Sequence, residues 1–283
     1  MLQVPILRSL CLGGLSLVNF IADARAEILW EAPLELRNGL VWIKAGVGDE
    51  KSLRFLLDTG AGSSFVDLGS TKDLGVKLVS PEIVDGVNSS SQAWRTSPID
   101  LKIGPATMRK SLLAMDLRPI SRGLRRQVEG VLGADFFQGR ILQIDLKKKR
   151  LRALASPPPT AGAVVLPLKF VNDAPCVPGT VGNQSTGWLR LDTGCVDFLQ
   201  WVETGTKISK AANASFGFSN ASMPYRREDL FLGSLALRGV RTGIHHRELF
   251  PQEIGLIGNG LFSRHVLTID CPSKQVVLLP QSR

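Results

Sequence analysis

Two segments of the chain end an apolar run in aspartate and follow it with threonine and glycine. They are Phe55-Leu56-Leu57-Asp58-Thr59-Gly60 and Leu189-Arg190-Leu191-Asp192-Thr193-Gly194. Two carboxylates held close together cannot both ionise cheaply, so one keeps a proton while the other stays charged. Such a pair supplies a base that activates water and an acid that protonates a leaving group, which is hydrolytic chemistry. Glycine at the third position permits a tight turn whose N–H approaches the carboxylate. One copy alone reads as an ordinary turn. Two matched copies, each after an apolar strand, single out Asp58 and Asp192 as candidate catalytic residues.

Other chemistries find less support. The 283-residue chain has three histidines, His245, His246 and His265. Neighbouring residues point apart on a strand or helix, so a multi-histidine metal centre is not expected. Cys11, Cys176, Cys195 and Cys271 form no Cys-x-x-Cys or zinc spacing, and neither metal nor cofactor is expected. Gly60-Ala61-Gly62 hints at a dinucleotide loop, but Phe65 fills the sixth position and no long helix pattern follows. A nucleophilic Cys195 has no histidine close in sequence.

The repetition extends beyond the aspartates, which lie 134 residues apart. Ser91–Arg95 parallels Ser222–Arg226 at an offset of 131, and Ile99–Gly104 parallels Glu228–Gly233 at 129. Val131–Phe136 parallels Leu256–Leu261, and Ile144-Asp145 parallels Ile269-Asp270, both at 125. Collinear landmarks with slowly shrinking spacing indicate an internal duplication. Pro157-Pro158-Pro159 continues neither ladder nor helix and reads as a stiff connector. The expected organisation is residues 1–26 as a signal peptide, 27–152 and 164–283 as two lobes, and 153–163 as the linker.

Short apolar and β-branched runs must position the motifs. Expected strands cover 40–44, 53–57, 99–103, 141–145 and 150–154, then 164–170, 187–191, 230–232, 266–269 and 276–279. No segment sustains a 3.6-residue apolar period, although 65–74 and 261–265 can each hold a short helix. The fold class that follows is all-β, with two similar lobes.

Paired Asp-Thr-Gly strands, each followed by an apolar-apolar-glycine element, resemble the aspartic proteases, in which each lobe or subunit supplies one aspartate. Asp58-Thr59-Gly60-Ala61 resembles the retropepsin form of the motif, and Val131-Leu132-Gly133-Ala134-Asp135-Phe136 the element packed behind it. The resemblance spans about residues 34–280 and is nearer to single-chain, two-lobed, exported bacterial relatives of retropepsin than to pepsin. It implies two β-barrel lobes with a cleft between them and an aspartic endopeptidase with a peptide or protein substrate. It implies that Thr59 and Thr193 bond across the lobe interface, with Gly60 and Gly194 shaping the loops. It also places a flap at Asp85–Ser91, giving Asn88, Ser89 and Trp94 as candidate substrate contacts. Ser219–Tyr225 is the flap's counterpart and adds Tyr225. Cys195 departs from the family pattern, which usually carries serine, threonine or alanine there. The alternative reading is a catalytically weak peptide-binding module.

Residues 10–21 are apolar and Ala24-Arg25-Ala26 has the small-x-small form of a signal-peptidase site, so export to the periplasm or medium is expected. A dozen apolar residues fall short of a membrane span. The net charge of +9 gathers at Arg118–Arg126 and Lys147–Arg152, neither interleaved with aromatics, so nucleic acid is not an expected partner. Those runs read as a solvated loop and a solvated hairpin turn. Removal of Cys11 leaves three cysteines, an odd count whose pairing the sequence does not specify. The chain is expected to act as a monomer.

Overall fold

A computed structural model describes residues 26–48, 51–86, 89–184, 186–203 and 223–281. The first half contains β1 (Ile28–Arg37), β2 (Leu40–Val47), β3 (Lys51–Leu57), β4 (Phe65–Asp67), β5 (Leu78–Gly86) and β6 (Ser89–Thr96). It continues with β7 (Ile99–Ile103), β8 (Ala106–Lys110), β9 (Leu113–Met115), β10 (Gly130–Leu132), β11 (Ile141–Asp145) and β12 (Arg150–Leu154). The second half contains β13 (Val164–Pro167), β14 (Lys169–Val171), β15 (Ala174–Val181), β16 (Gly187–Leu191) and β17 (Leu199–Val202). It ends with β18 (Tyr225–Leu232), β19 (Leu235–His245), β20 (Glu253–Ile257), β21 (His265–Asp270) and β22 (Gln275–Pro280). Two short helices, α1 (Arg118–Leu124) and α2 (Asn259–Phe262), complete it. The fold is all-β.

The duplication appears as topology. In the first half β3 runs parallel to β10, β10 antiparallel to β4, and β4 parallel to β9. The second half repeats this with β16, β20, β17 and β19. In each half the Asp-Thr-Gly loop leaves the end of the first strand of this set, and the apolar-apolar-glycine element is the second. Strands β4, β9, β10, β17 and β20 are buried at nearly every residue, so they read as short apolar runs rather than alternation, whereas the first half of β19 alternates.

The halves do not close separately. Strands β1, β12 and β11 continue into β21, β22 and β13 in one sheet. Gln143 lies directly opposite Thr268, its own repeat partner at the offset of 125, and the two side chains hydrogen-bond at 3.2 Å. The pseudo-twofold axis of the duplication therefore passes through this rung. Phe55, Leu57, Leu132, Phe136 and Leu142 belong to the same buried core as Leu189, Leu191, Ile257, Phe262 and Ile269.

Three local expectations change. Arg118–Leu124 is helical rather than a loop: Pro119 suits the first turn, and Ile120 is buried beside Leu117. Beyond it, Arg126 lies 4.7 Å from the Trp42 ring centroid and pairs with Glu35. Residues 65–70 form β4 and one 3-10 turn, because Val66 fills the core between β9 and β10. Ala153 and Leu154 remain paired in β12, so the extended connector starts after them. The basic run at 147–150 does turn between β11 and β12, with Lys149 at φ 54°. Among the described residues no helix is long and apolar enough to cross a membrane.

Candidate active site

The two Asp-Thr-Gly loops meet where the halves touch. Each aspartate N–H is held by the strand behind it, Asp58 by the Leu132 carbonyl at 3.0 Å and Asp192 by the Ile257 carbonyl at 2.9 Å. Thr59 Oγ1 donates to the Leu191 carbonyl at 2.7 Å and accepts the Thr193 N–H at 3.1 Å. Thr193 Oγ1 reciprocates with the Leu57 carbonyl at 2.7 Å and the Thr59 N–H at 3.0 Å. Both threonines are wholly buried, so each hydroxyl satisfies two backbone groups of the opposite half that water does not reach.

This lattice brings the carboxyls of Asp58 and Asp192 into a hydrogen bond with one another. The loops fit closely around them. A Cβ on Gly60 would lie 2.5 Å from Asp192 Cγ, and one on Gly194 would lie 2.6 Å from Asp58 Cγ. Glycine is thus required by contact with the opposite aspartate as well as by the turn.

The two carboxyls are not equivalent. Asp58 Oδ1 accepts N–H groups from Gly60 at 2.9 Å and Ala61 at 3.1 Å. Asp192 Oδ1 accepts the Gly194 N–H at 2.8 Å, whereas the Cys195 N–H goes to the Asp192 carbonyl. Burial raises the pKa of both. Asp192 is raised furthest, because it is buried and faces the Asp58 charge. The two carboxyls therefore titrate as a pair that shares one proton, with Asp58 the better supplied with N–H donors.

Cys195 is buried and is no nucleophile. Burial, then the charges of Asp192 and Asp197, push its thiol well above the usual value. Gln200 Nε2 donates to its sulfur at 3.4 Å and to Asp197 Oδ2 at 2.9 Å. Cys176, Cys195 and Cys271 are all free thiols, and burial pushes Cys176 up to about 12 and Cys271 up to about 11.

The candidate flap is a hairpin of β5 and β6, with Trp94 half-buried on β6 opposite Pro81 and Ala114. Asn88 lies outside the described residues, and of Ser89 only the backbone is described. Tyr225, at the start of β18, donates its hydroxyl to Asp197 at 3.1 Å. It is thereby tied to the loop that carries Asp192.

Sequence reasoning passed over three residues here. Asn259 donates to the Gly39 carbonyl and the Thr193 carbonyl, both at 2.8 Å, and so pins one half to the other. Arg190 and Glu253 form a buried ion pair next to the aspartates, at 2.6 Å. The visible signal for that pair was an arginine inside an apolar run. Among the described residues no group of three His, Cys, Asp or Glu side chains could hold a metal ion.

Residues 43–136 match the family model described as aspartyl protease. No curated protein matches by sequence. Among solved structures the chain is similar to aspartic proteinase from Irpex lacteus, at 12% identity and TM-score 0.60, over 89% of this chain and 97% of that one. It is similar also to basic 7S globulin from soybean, at 11% identity and TM-score 0.59, over 91% of this chain and 96% of that one. The sequence match covers residues 43–136, in the first half, and both solved structures share the two-lobed fold of the whole chain.

Proposed function

We propose that the protein is an aspartic endopeptidase that hydrolyses peptide bonds with water activated by Asp58 and Asp192. The observation that carries this is the hydrogen-bonded carboxyl pair, one member from each half, with both pKa values raised. In the free enzyme the pair holds one proton between its members, and the reaction runs from the form in which Asp58 is charged. With substrate between the halves, Asp58 takes a proton from water and the hydroxide adds to the peptide carbonyl carbon. Asp192 gives its proton to the carbonyl oxygen, leaving a neutral tetrahedral intermediate. Collapse breaks the C–N bond, the nitrogen takes the proton from Asp58, and Asp192 recovers its own from the hydroxyl. The β5–β6 hairpin, with Ser89 and Trp94, would close over the peptide on one side and Tyr225 would border it on the other. Export is part of the same reading, resting on residues 1–26, and a mature N-terminus at Glu27 would support it.

The test is cleavage of an unstructured peptide pool across pH. Asp58→Asn and Asp192→Asn should each lower turnover by about 10³-fold or more while leaving the protein folded. Persistent cleavage in both variants overturns the assignment. A wild type that captures peptides without cutting them would identify a peptide-binding module instead, on a fold that need not carry one activity.

A further inference from the structure

The duplication breaks at one buried position beside the aspartates. Two residues before Asp58 stands Leu56, packed in an apolar cluster; two residues before Asp192 stands Arg190. The partner position breaks in the same way, since Val128 is apolar and its repeat counterpart, 125 residues on, is Glu253. Arg190 and Glu253 are 2% and 3% exposed. A buried ion pair is often no more stabilising than the apolar pair it replaces, and the first half shows that the fold manages with leucine and valine. Something other than packing is needed to account for the charges.

The geometry supplies it. Arg190 Nε and Nη2 both donate to Glu253, at 2.7 and 2.6 Å, a bidentate arrangement that fixes the guanidinium plane. The ring of Phe250 lies against that plane, 3.5 Å from its central carbon. Glu253 is anchored in turn by Asn172 Nδ2 at 3.0 Å. So oriented, Nη1 crosses between the halves and donates to the Gly60 carbonyl at 2.5 Å. Gly60 is the residue whose N–H donates to Asp58.

We propose that Arg190 is a positioning residue, holding the opposite half's catalytic loop through Gly60 and setting the charge state of the aspartate pair. The proposal deepens the protease reading and rests on it. Glu253 covers one edge of the guanidinium, and the edge that faces the loop remains positive toward both carboxyls. That charge favours ionisation of Asp58 and of Asp192, against the burial that opposes it. The remaining groups do not reproduce this. Cys176, paired with Arg190 across β15 and β16, and Cys195 are neutral thiols. Asp197 is engaged by Tyr225 and Gln200, with Arg241 at 3.8 Å, and the Asp173 Cβ packs beside Gly62.

The experiment is the pH profile of kcat/KM for the full chain. Arg190→Gln/Glu253→Gln, which removes both charges together, should move both limbs of the bell to higher pH by about one unit. Arg190→Lys restores the charge without the fork, so its limbs should return toward the wild-type pH while the height stays reduced. Glu253→Gln alone leaves the arginine less compensated and should move the bell to lower pH. A folded neutral pair, checked by circular dichroism, whose bell stays in place overturns the proposal. If that pair does not fold, an unmoved bell in Glu253→Gln overturns it instead. Carbon-13 titration of the aspartate carboxyls keeps the two readings apart. If peptides are not cleaved but the pair titrates higher without Arg190, the protease reading fails and the role of Arg190 stands.

Discussion

The raised pKa of Asp192 has a consequence for stability as well as for chemistry. In the unfolded chain an aspartate titrates near 3.8, whereas in the fold Asp192 holds its proton well above that. Below 3.8 the carboxyl is protonated in both states. As pH rises toward the folded value the unfolded chain ionises first, so the fold loses stability across that window. Asp192→Asn removes the ionisation. It should therefore stabilise the protein at pH 7 and leave it unchanged near pH 3. Urea unfolding at the two pH values checks this, and equal effects at both would contradict the raised pKa of Asp192. Cys195, in the same loop, adds no competing titration at neutral pH because its thiol is held neutral.

The elements that matter most are the two loops and the four threonine bonds between them. Removing one hydroxyl leaves a buried carbonyl and a buried N–H without their partner. Thr59→Val and Thr193→Val should each destabilise by about 2–3 kcal/mol. The four bonds form one cage, so the double variant should cost clearly less than the sum of the singles. Chemical denaturation of the three variants measures it; simple additivity would mean the halves are held elsewhere. Much of this was legible, since two apolar strands ending in Asp-Thr-Gly point to paired loops. Helix α1 was not, because a seven-residue helix with Ile120 as its buried residue shows no apolar period among the arginines. Strands β4, β9 and β10 have three residues each, too short for alternation to show.

At the scale of the molecule, the chain connection between the halves is far weaker than the surface they share. Residues 159–162 are exposed and form no ladder, while β11 pairs with β21 over four rungs and one core runs beneath both. Cutting the chain at a protease site engineered within 159–162 should leave the two pieces associated. Size-exclusion chromatography should show one native peak, with separation only in denaturant, and the nicked protein should keep its native melting transition within a few degrees. Two separate peaks would show that the proline connector, not the sheet, holds the halves together.

The sequence by itself determined the duplication, the all-β class and the identity of the two aspartates. Those features are written in local order: apolar runs, turn residues and a repeated motif. Only the tertiary structure decided how the halves join, that the two aspartates share one buried site, and that Arg190 reaches across to Gly60. Each of those depends on groups more than 60 residues apart meeting in a water-free interface. There burial alters the cost of charge, and a direction in space, which no spacing along the chain encodes, selects the partner.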